Sequence, residues 1–187
     1  EGLITATDVL AEGSTADTIS LSTTKDGVLA TKVISADSVT ITATTGGVTA
    51  TSVTAGNDVS ITASSDIIGT SITAGDEVSI TTSLGDVTVG TITATGGTLE
   101  ITATTGSIND ESDNNDVDLT AGGEITLTAE DEIGDHAIFT TDKDLELASG
   151  SVVNAKSTDF GAIQLHGLGS LTLKKVEDSC QLEAVWD

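Results

Sequence analysis

A five-residue phrase recurs about every twenty residues, and it constrains the fold more than any other feature of the chain. The first, third and fifth residues of each copy are apolar or small, and polar residues lie between them. The copies are Val39–Ala43, Val59–Ala63, Val78–Thr82, Leu99–Ala103 and Ile125–Ala129. They begin 20, 19, 21 and 26 residues apart. A period of this size is typical of repeat proteins, whose units bury their apolar faces only by stacking on one another.

Each repeat holds three short alternating segments separated by turn residues. In the repeat that begins at Val39, the later segments are Val48–Ala50 and Val53–Ala55, with corners at 44–47 and 56–58. Alternation of β-branched and polar residues indicates strands, and clusters of Gly, Asn and Asp indicate tight turns. We therefore predict an all-β fold, a single-stranded parallel β-helix or solenoid. It would have about eight turns of roughly 20 residues, with three short strands in each turn.

A β-sandwich also contains many short strands, but the composition of this chain favours the solenoid. Sandwich sequences do not repeat one apolar phrase in register, and they usually contain proline and more aromatic residues. This chain has no proline, methionine or tyrosine, and its aromatic residues are Phe139, Phe160 and Trp186. A narrow core filled by layers of Val, Ile, Leu and Ala does not need bulky aromatic side chains.

The charge of the chain excludes several classes of partner. It carries 30 acidic residues, six lysines and no arginine, for a net charge of −24. Nucleic-acid binding is excluded because its electrostatic component would be repulsive. Membrane insertion is not expected, since no apolar run approaches the roughly 18 residues that a spanning helix needs. Cys180 is the sole cysteine, so no disulfide forms within the chain, and cysteine usage leaves the cellular compartment open.

The repeat pattern is interrupted in two places. An acidic insertion occupies residues 109–116, and the five-residue phrase no longer recurs at its usual spacing from Ile163 onward. We therefore divide the chain into solenoid turns over residues 1–162 and an atypical segment over 163–187. End repeats of solenoids are atypical because they must cover the exposed core and strand edge. The C-terminal segment is thus expected to be a cap or an assembly element.

The acidic insertion is the strongest candidate for a metal site. Aligning the repeats stacks Ile108 on Ile133 and brings acidic side chains from two turns together. Calcium binds six to eight oxygen ligands, which carboxylates supply. The candidate Ca²⁺ ligands are Asp110, Glu111, Asp113, Asp116 and Asp135. The alternative interpretation is a solvated acidic loop that binds nothing, and no other cofactor is required.

Polar residues of the repeated phrase predict two outward columns of hydroxyl groups. Such columns resemble the Thr arrays of ice-binding solenoids, which makes ice binding a minor alternative function. We place Glu100 and Glu146 in one of these columns, where they interrupt the array. Hydroxyl ladders also suit any solvent-facing strand that stacks closely on its neighbours.

Catalysis is not expected. Close carboxylate pairs arise by chance in so acidic a chain, no arginine is present, and aromatic residues that line sugar-binding clefts are nearly absent. His136 and His166 lie in different repeats without a third zinc ligand. We therefore predict that the chain is not an enzyme.

The amino-acid sequence of the repeats resembles the repeats of a known protein family. The run Val-Thr-Ile-Thr-Ala-Thr-Thr-Gly at 39–46, with Thr-Ala-Gly-Asn-Asp at 54–58, is similar to the repeats of filamentous haemagglutinin-type exoproteins. Those are large β-helical adhesins exported by two-partner secretion and related autotransporter routes. The resemblance covers residues 19–145. The family's secretion domain carries Asn-Pro motifs, so a chain without proline does not include that domain.

The resemblance implies a right-handed β-helix on the bacterial cell surface or outside the cell. We expect a non-enzymatic structural or adhesive solenoid, a rigid shaft portion of a longer exoprotein or a free-standing relative of one. Its partners would be other protein chains or receptors on cells and matrix. The alternative function is an extracellular filament subunit that self-associates end to end through its terminal turns.

Overall fold

The computed structural model describes residues 2–11, 13, 17–112, 116–134, 144–159 and 161–177, with the backbone alone of 181–186. These residues form 21 strands and no helix, so they contain no helix long and apolar enough to cross a membrane. The strands are β1 (Ile4–Ala6), β2 (Val9–Ala11), β3 (Ile19–Thr23), β4 (Val28–Ala30), β5 (Val33–Ser35), β6 (Val39–Ala43), β7 (Val48–Ala50), β8 (Val53–Ala55), β9 (Val59–Ala63), β10 (Ile67–Ala74), β11 (Val78–Thr82), β12 (Val87–Ala94), β13 (Leu99–Ala103), β14 (Ile108–Asp110), β15 (Leu119–Ala121), β16 (Glu124–Ala129), β17 (Leu145–Leu147), β18 (Val152–Ser157), β19 (Ala162–Gly167), β20 (Thr172–Glu177) and β21 (Gln181–Trp186).

All strand pairs among the described residues are parallel, and strands pair with their equivalents in neighbouring turns. The repeated phrase forms one face, an eight-stranded sheet that runs from β3 to β20. The two shorter segments of each turn form a 13-stranded sheet that covers the other two sides. In β10 and β12 these segments join into one strand of eight residues, whose pairing skips Thr70 and Gly90 at the corner. The predicted parallel β-solenoid of about eight turns is confirmed.

Inward residues of equivalent strands stack into continuous apolar columns. One column consists of Ile41, Ile61, Ile80, Ile101 and Leu127, each with no exposed surface. The residues between them point outward, as the two-residue period of a strand requires. The hydrophobic core is therefore a narrow stack of aliphatic layers that runs through the turns.

Corners are as closely stacked as the strands. A Cβ atom added to Gly75 would lie 2.0 Å from the carbonyl oxygen of Gly56 in the preceding turn, so only glycine fits there. Aspartates satisfy corner amides: Oδ1 of Asp66 accepts a hydrogen bond from the Asp86 amide at 3.1 Å, and Oδ1 of Asp86 accepts one from the Ser107 amide at 2.8 Å. Part of the acidic composition is therefore structural.

The ladder continues across both interruptions of the repeat. Ile108 pairs with Ile133, as the alignment of repeats predicts, and Ile133 pairs with Ile163. Within the described part of residues 163–187, β19 pairs with β17 and β21, and β20 pairs with β18 on both sides of a register shift between Val153 and Asn154. The acidic insertion separates β14 from β15 at the corner that β12 crosses without a break.

Candidate functional site

The base of the acidic insertion lies beside a buried glutamate of the following turn. Asp110 is the last residue of β14, and Asp118 immediately precedes β15. Because Leu119 pairs with Leu147, Asp118 and Glu146 occupy equivalent positions in neighbouring turns. Glu146 in turn pairs with His166 of β19. Three successive turns thus bring Asp118, Glu146 and His166 into one column, with Asp110 beside it.

Asp110, Asp118 and Glu146 form a compact carboxylate cluster. One carboxylate oxygen from each residue lies within 4.8 Å of the corresponding oxygens of the other two. Oδ2 of Asp118 accepts a hydrogen bond from the Glu146 amide at 2.9 Å, which holds the two turns in register. Nδ1 of His166 lies 3.6 Å from Oε1 of Glu146. We call the three acidic residues the carboxylate cluster.

Two members of the cluster are withdrawn from solvent, and Asp110 is half-buried. Asp118 is 3% exposed and Glu146 has no exposed surface, although its side chain lies on the outward side of β17, between the inward Leu145 and Leu147. Among the described residues, neither carboxylate oxygen of Glu146 receives a hydrogen bond. Burying an ionised carboxylate without donors is costly, so this position favours a proton or a cation.

Burial raises the pKa of Asp118 to about 9, and the adjacent carboxyl of Glu146 adds to the increase. Burial likewise raises the pKa of Glu146 to about 7, while the adjacent carboxyl of Asp118 opposes that increase. The charge of Asp110 raises both pKa values. The main cause is the same for both residues: burial disfavours the charged form of each carboxyl, so the pair retains a proton at neutral pH.

The calcium ligands predicted from the sequence lie in different surroundings in the structure. Asp110 belongs to the carboxylate cluster, whereas Oε1 of Glu111 accepts a hydrogen bond from the Thr70 hydroxyl at 3.0 Å, two turns towards the N-terminus. Asp116 is exposed. Asp113 and Asp135 lie outside the described residues. The calcium site therefore stays a prediction, and Asp110 is the predicted ligand that the cluster contains.

Sequence reasoning did not choose Asp118 or Glu146, and it placed Glu146 on the wrong face. Leu145-Glu146-Leu147 has the same alternation as Leu99-Glu100-Ile101, and this alternation predicts a place in the hydroxyl column of the repeated phrase. In the structure, Glu146 belongs to the 13-stranded sheet, and Asn154 follows Thr126 in that column. The missed signal is the pair Val117-Asp118-Leu119 and Leu145-Glu146-Leu147, in which an acid lies between two aliphatic residues at the edge of an interruption.

The chemistry available to the cluster follows from its burial. Carboxylate pairs of unequal pKa serve as general acid and base in many active sites, but such groups must contact the reacting molecule. With Glu146 fully buried and Asp118 nearly so, the pair contacts protein atoms rather than solvent. The arrangement suits the binding of a proton or a small cation.

Comparisons with known proteins add no relative. No family model matches the chain, and neither the search of curated proteins nor the search of solved structures finds a match.

Proposed function

We propose that this chain is a non-enzymatic shaft segment of a bacterial protein at the cell surface or outside the cell, with a structural or adhesive role. The observation that carries the proposal is the unbroken parallel ladder, which continues in register through β3, β6, β9, β11, β13 and β16. Each turn is fastened to the next by backbone hydrogen bonds and by shared aliphatic columns. Such an array is stiff along its axis and offers an extended surface rather than one pocket.

The exposed surface supports this role. Outward positions of the eight-stranded sheet carry mainly Ser and Thr, and corners carry acidic residues, which together keep a long β surface hydrated. A net charge of −24 also makes copies of the chain repel one another. The acidic insertion departs from the regular surface, and loops on rigid scaffolds are common contact sites. We assign contact with receptors on cells or matrix to this loop.

A bead adhesion experiment tests the adhesive role. Beads that carry the chain are compared on epithelial cell layers with albumin-coated beads and with beads that carry a loop variant. In this variant, a Gly-Ser linker of equal length replaces residues 111–116, leaving the strands and the carboxylate cluster intact. Attachment that exceeds the albumin background and falls with the loop variant supports the proposal. Attachment equal to the background contradicts an adhesive role.

The filament alternative makes a different prediction. A subunit that stacks end to end would sediment faster as its concentration rises, whereas a shaft segment would sediment as a monomer. Sedimentation velocity of the intact chain at several concentrations and salt strengths separates the two. Salt matters because screening weakens repulsion between acidic copies. Ice binding is disfavoured because Glu100 is exposed within the hydroxyl column between Ser79 and Thr126.

A further inference from the structure

We propose that Asp110, Asp118 and Glu146 form a calcium-binding site that fastens the base of the acidic insertion to the following turn. This inference goes beyond the shaft function and does not depend on it. It differs from the site expected from the sequence because two of its three ligands, Asp118 and Glu146, lie outside the acidic insertion.

The first support is the convergence of oxygen ligands. Calcium–oxygen distances of about 2.3–2.6 Å allow one ion to contact oxygens that lie up to roughly 5 Å apart. The three carboxylates satisfy this condition, since their oxygens lie within 4.8 Å of one another. Together they offer as many as six oxygens, and backbone carbonyl groups or water complete a calcium shell.

The second support is the side chain of Glu146, independent of the number of acids nearby. It is fully buried, its carboxylate is directed into the cluster, and neither of its oxygens accepts a hydrogen bond among the described residues. A buried carboxylate in this state is stabilised by a proton or by a bound cation. Lysines that form ion pairs in the described part of the chain do so elsewhere: Lys32 with Asp8, Lys156 and Lys175 with Glu177, and Lys174 with Glu124.

The ligand set selects the class of cation. Carboxylate oxygens are hard ligands that suit calcium, whereas zinc sites use histidine and cysteine. His166 contacts Glu146 at 3.6 Å but is not among the residues whose ligand atoms all converge within 4.8 Å. Histidine at this distance can orient the glutamate without joining the shell. One ion would then tie together Asp110 of β14, Asp118 just before β15 and Glu146 of β17.

Calcium binding is measured on the intact chain after treatment with a chelator. Equilibrium dialysis with radioactive calcium in moderate salt gives the stoichiometry, because salt suppresses diffuse binding to the many surface acids. We expect one saturable site per chain, with a dissociation constant of about 10⁻⁴–10⁻³ M, as in extracellular calcium modules. Thermal melting should shift upward with calcium over the same range.

Matched variants locate the ion. Glu146→Gln and Asp118→Asn keep the side-chain shape and should each weaken calcium binding at least tenfold. Glu111→Gln and Asp116→Asn remove equal charge from the insertion and should leave the affinity unchanged. Circular dichroism confirms folding of each variant. The proposal is overturned if the unmodified chain binds no calcium, if Glu146→Gln binds it equally well, or if zinc binds in its place.

Discussion

Asp118 and Glu146 occupy the same position in consecutive turns, and Oδ2 of Asp118 accepts a hydrogen bond from the backbone amide of Glu146 at 2.9 Å. The contact places two carboxyl groups side by side, next to the corner that carries the acidic insertion. In other described turns, corner aspartates such as Asp66 and Asp86 accept amide hydrogen bonds, and no acid besides this pair is buried among the described residues.

This carboxyl pair predicts that the chain without calcium loses stability as the pH rises. Burial raises the pKa of Asp118 to about 9 and that of Glu146 to about 7, above the ordinary values of 3.8 and 4.5. Between the ordinary and the raised pKa values, the folded chain binds protons that the unfolded chain has released. The free energy of unfolding therefore falls as pH rises, by at most about 1.4 kcal/mol per pH unit for each proton.

Urea unfolding in chelator at pH 6, 7 and 8 measures this slope. Exposed carboxylates finish ionising below about pH 6, so the part of the slope that disappears when the pair is replaced reports the buried carboxyls. The double variant Asp118→Asn with Glu146→Gln should show a flatter profile. Equal slopes for both chains would refute the assignment.

Truncation of one side chain in a core column should lower the free energy of unfolding substantially. Ile61 has no exposed surface and lies between Ile41 and Ile80 of the adjacent turns. Ile61→Ala opens a cavity that the stacked neighbours cannot fill, so the free energy of unfolding should fall by about 2–5 kcal/mol. Thr62→Ala, on the outward side of the same strand, should change it by less than about 0.5 kcal/mol. Chemical denaturation measures both, and a similar small loss for the two variants would contradict the column.

The close stacking of the corners predicts that Gly75 does not tolerate a larger residue. Gly75→Ala would place a methyl group 2.0 Å from the carbonyl oxygen of Gly56, so the backbone of two turns must separate. We expect a lower melting temperature than that of the unmodified chain. Gly2→Ala is the control, because its Cβ would make an ordinary contact at 3.5 Å from Asp26. Equal melting temperatures for the two variants would show that the corners are not closely stacked.

Two variants of the corner aspartate Asp86 separate the contribution of its hydrogen bond to stability from that of its charge. Asp86 accepts a hydrogen bond from the Ser107 amide at 2.8 Å. Asp86→Ala removes this acceptor and should lower the free energy of unfolding by about 1 kcal/mol. Asp86→Asn removes the charge but keeps an oxygen acceptor, so it should retain most of the stability. If both variants were equally unstable, the charge rather than the hydrogen bond would be responsible.

The sequence was sufficient to predict the stack because its period and its two-residue alternation both follow from the inward columns. The pairing of Ile108 with Ile133 was predictable for the same reason. Glu146 was not, because Leu-Glu-Leu has the same alternation on either face, and only the pairing of Leu147 with Leu119 assigns it to the 13-stranded sheet. Burial of Asp118 could not be predicted from the sequence either, since burial of an outward residue depends on its three-dimensional surroundings.

A distance measurement between spin labels tests the rigid parallel stack most directly. Ser22 and Thr128 are five pairing steps apart in one outward column, through Thr42, Thr62, Thr81 and Thr102. With Cys180 replaced by Ser, labels on Ser22→Cys and Thr128→Cys should lie about 24 Å apart, since each step is about 4.8 Å. Pulsed electron spin resonance should give one narrow peak near that distance. A broad distribution, or a peak far from it, would contradict a rigid shaft.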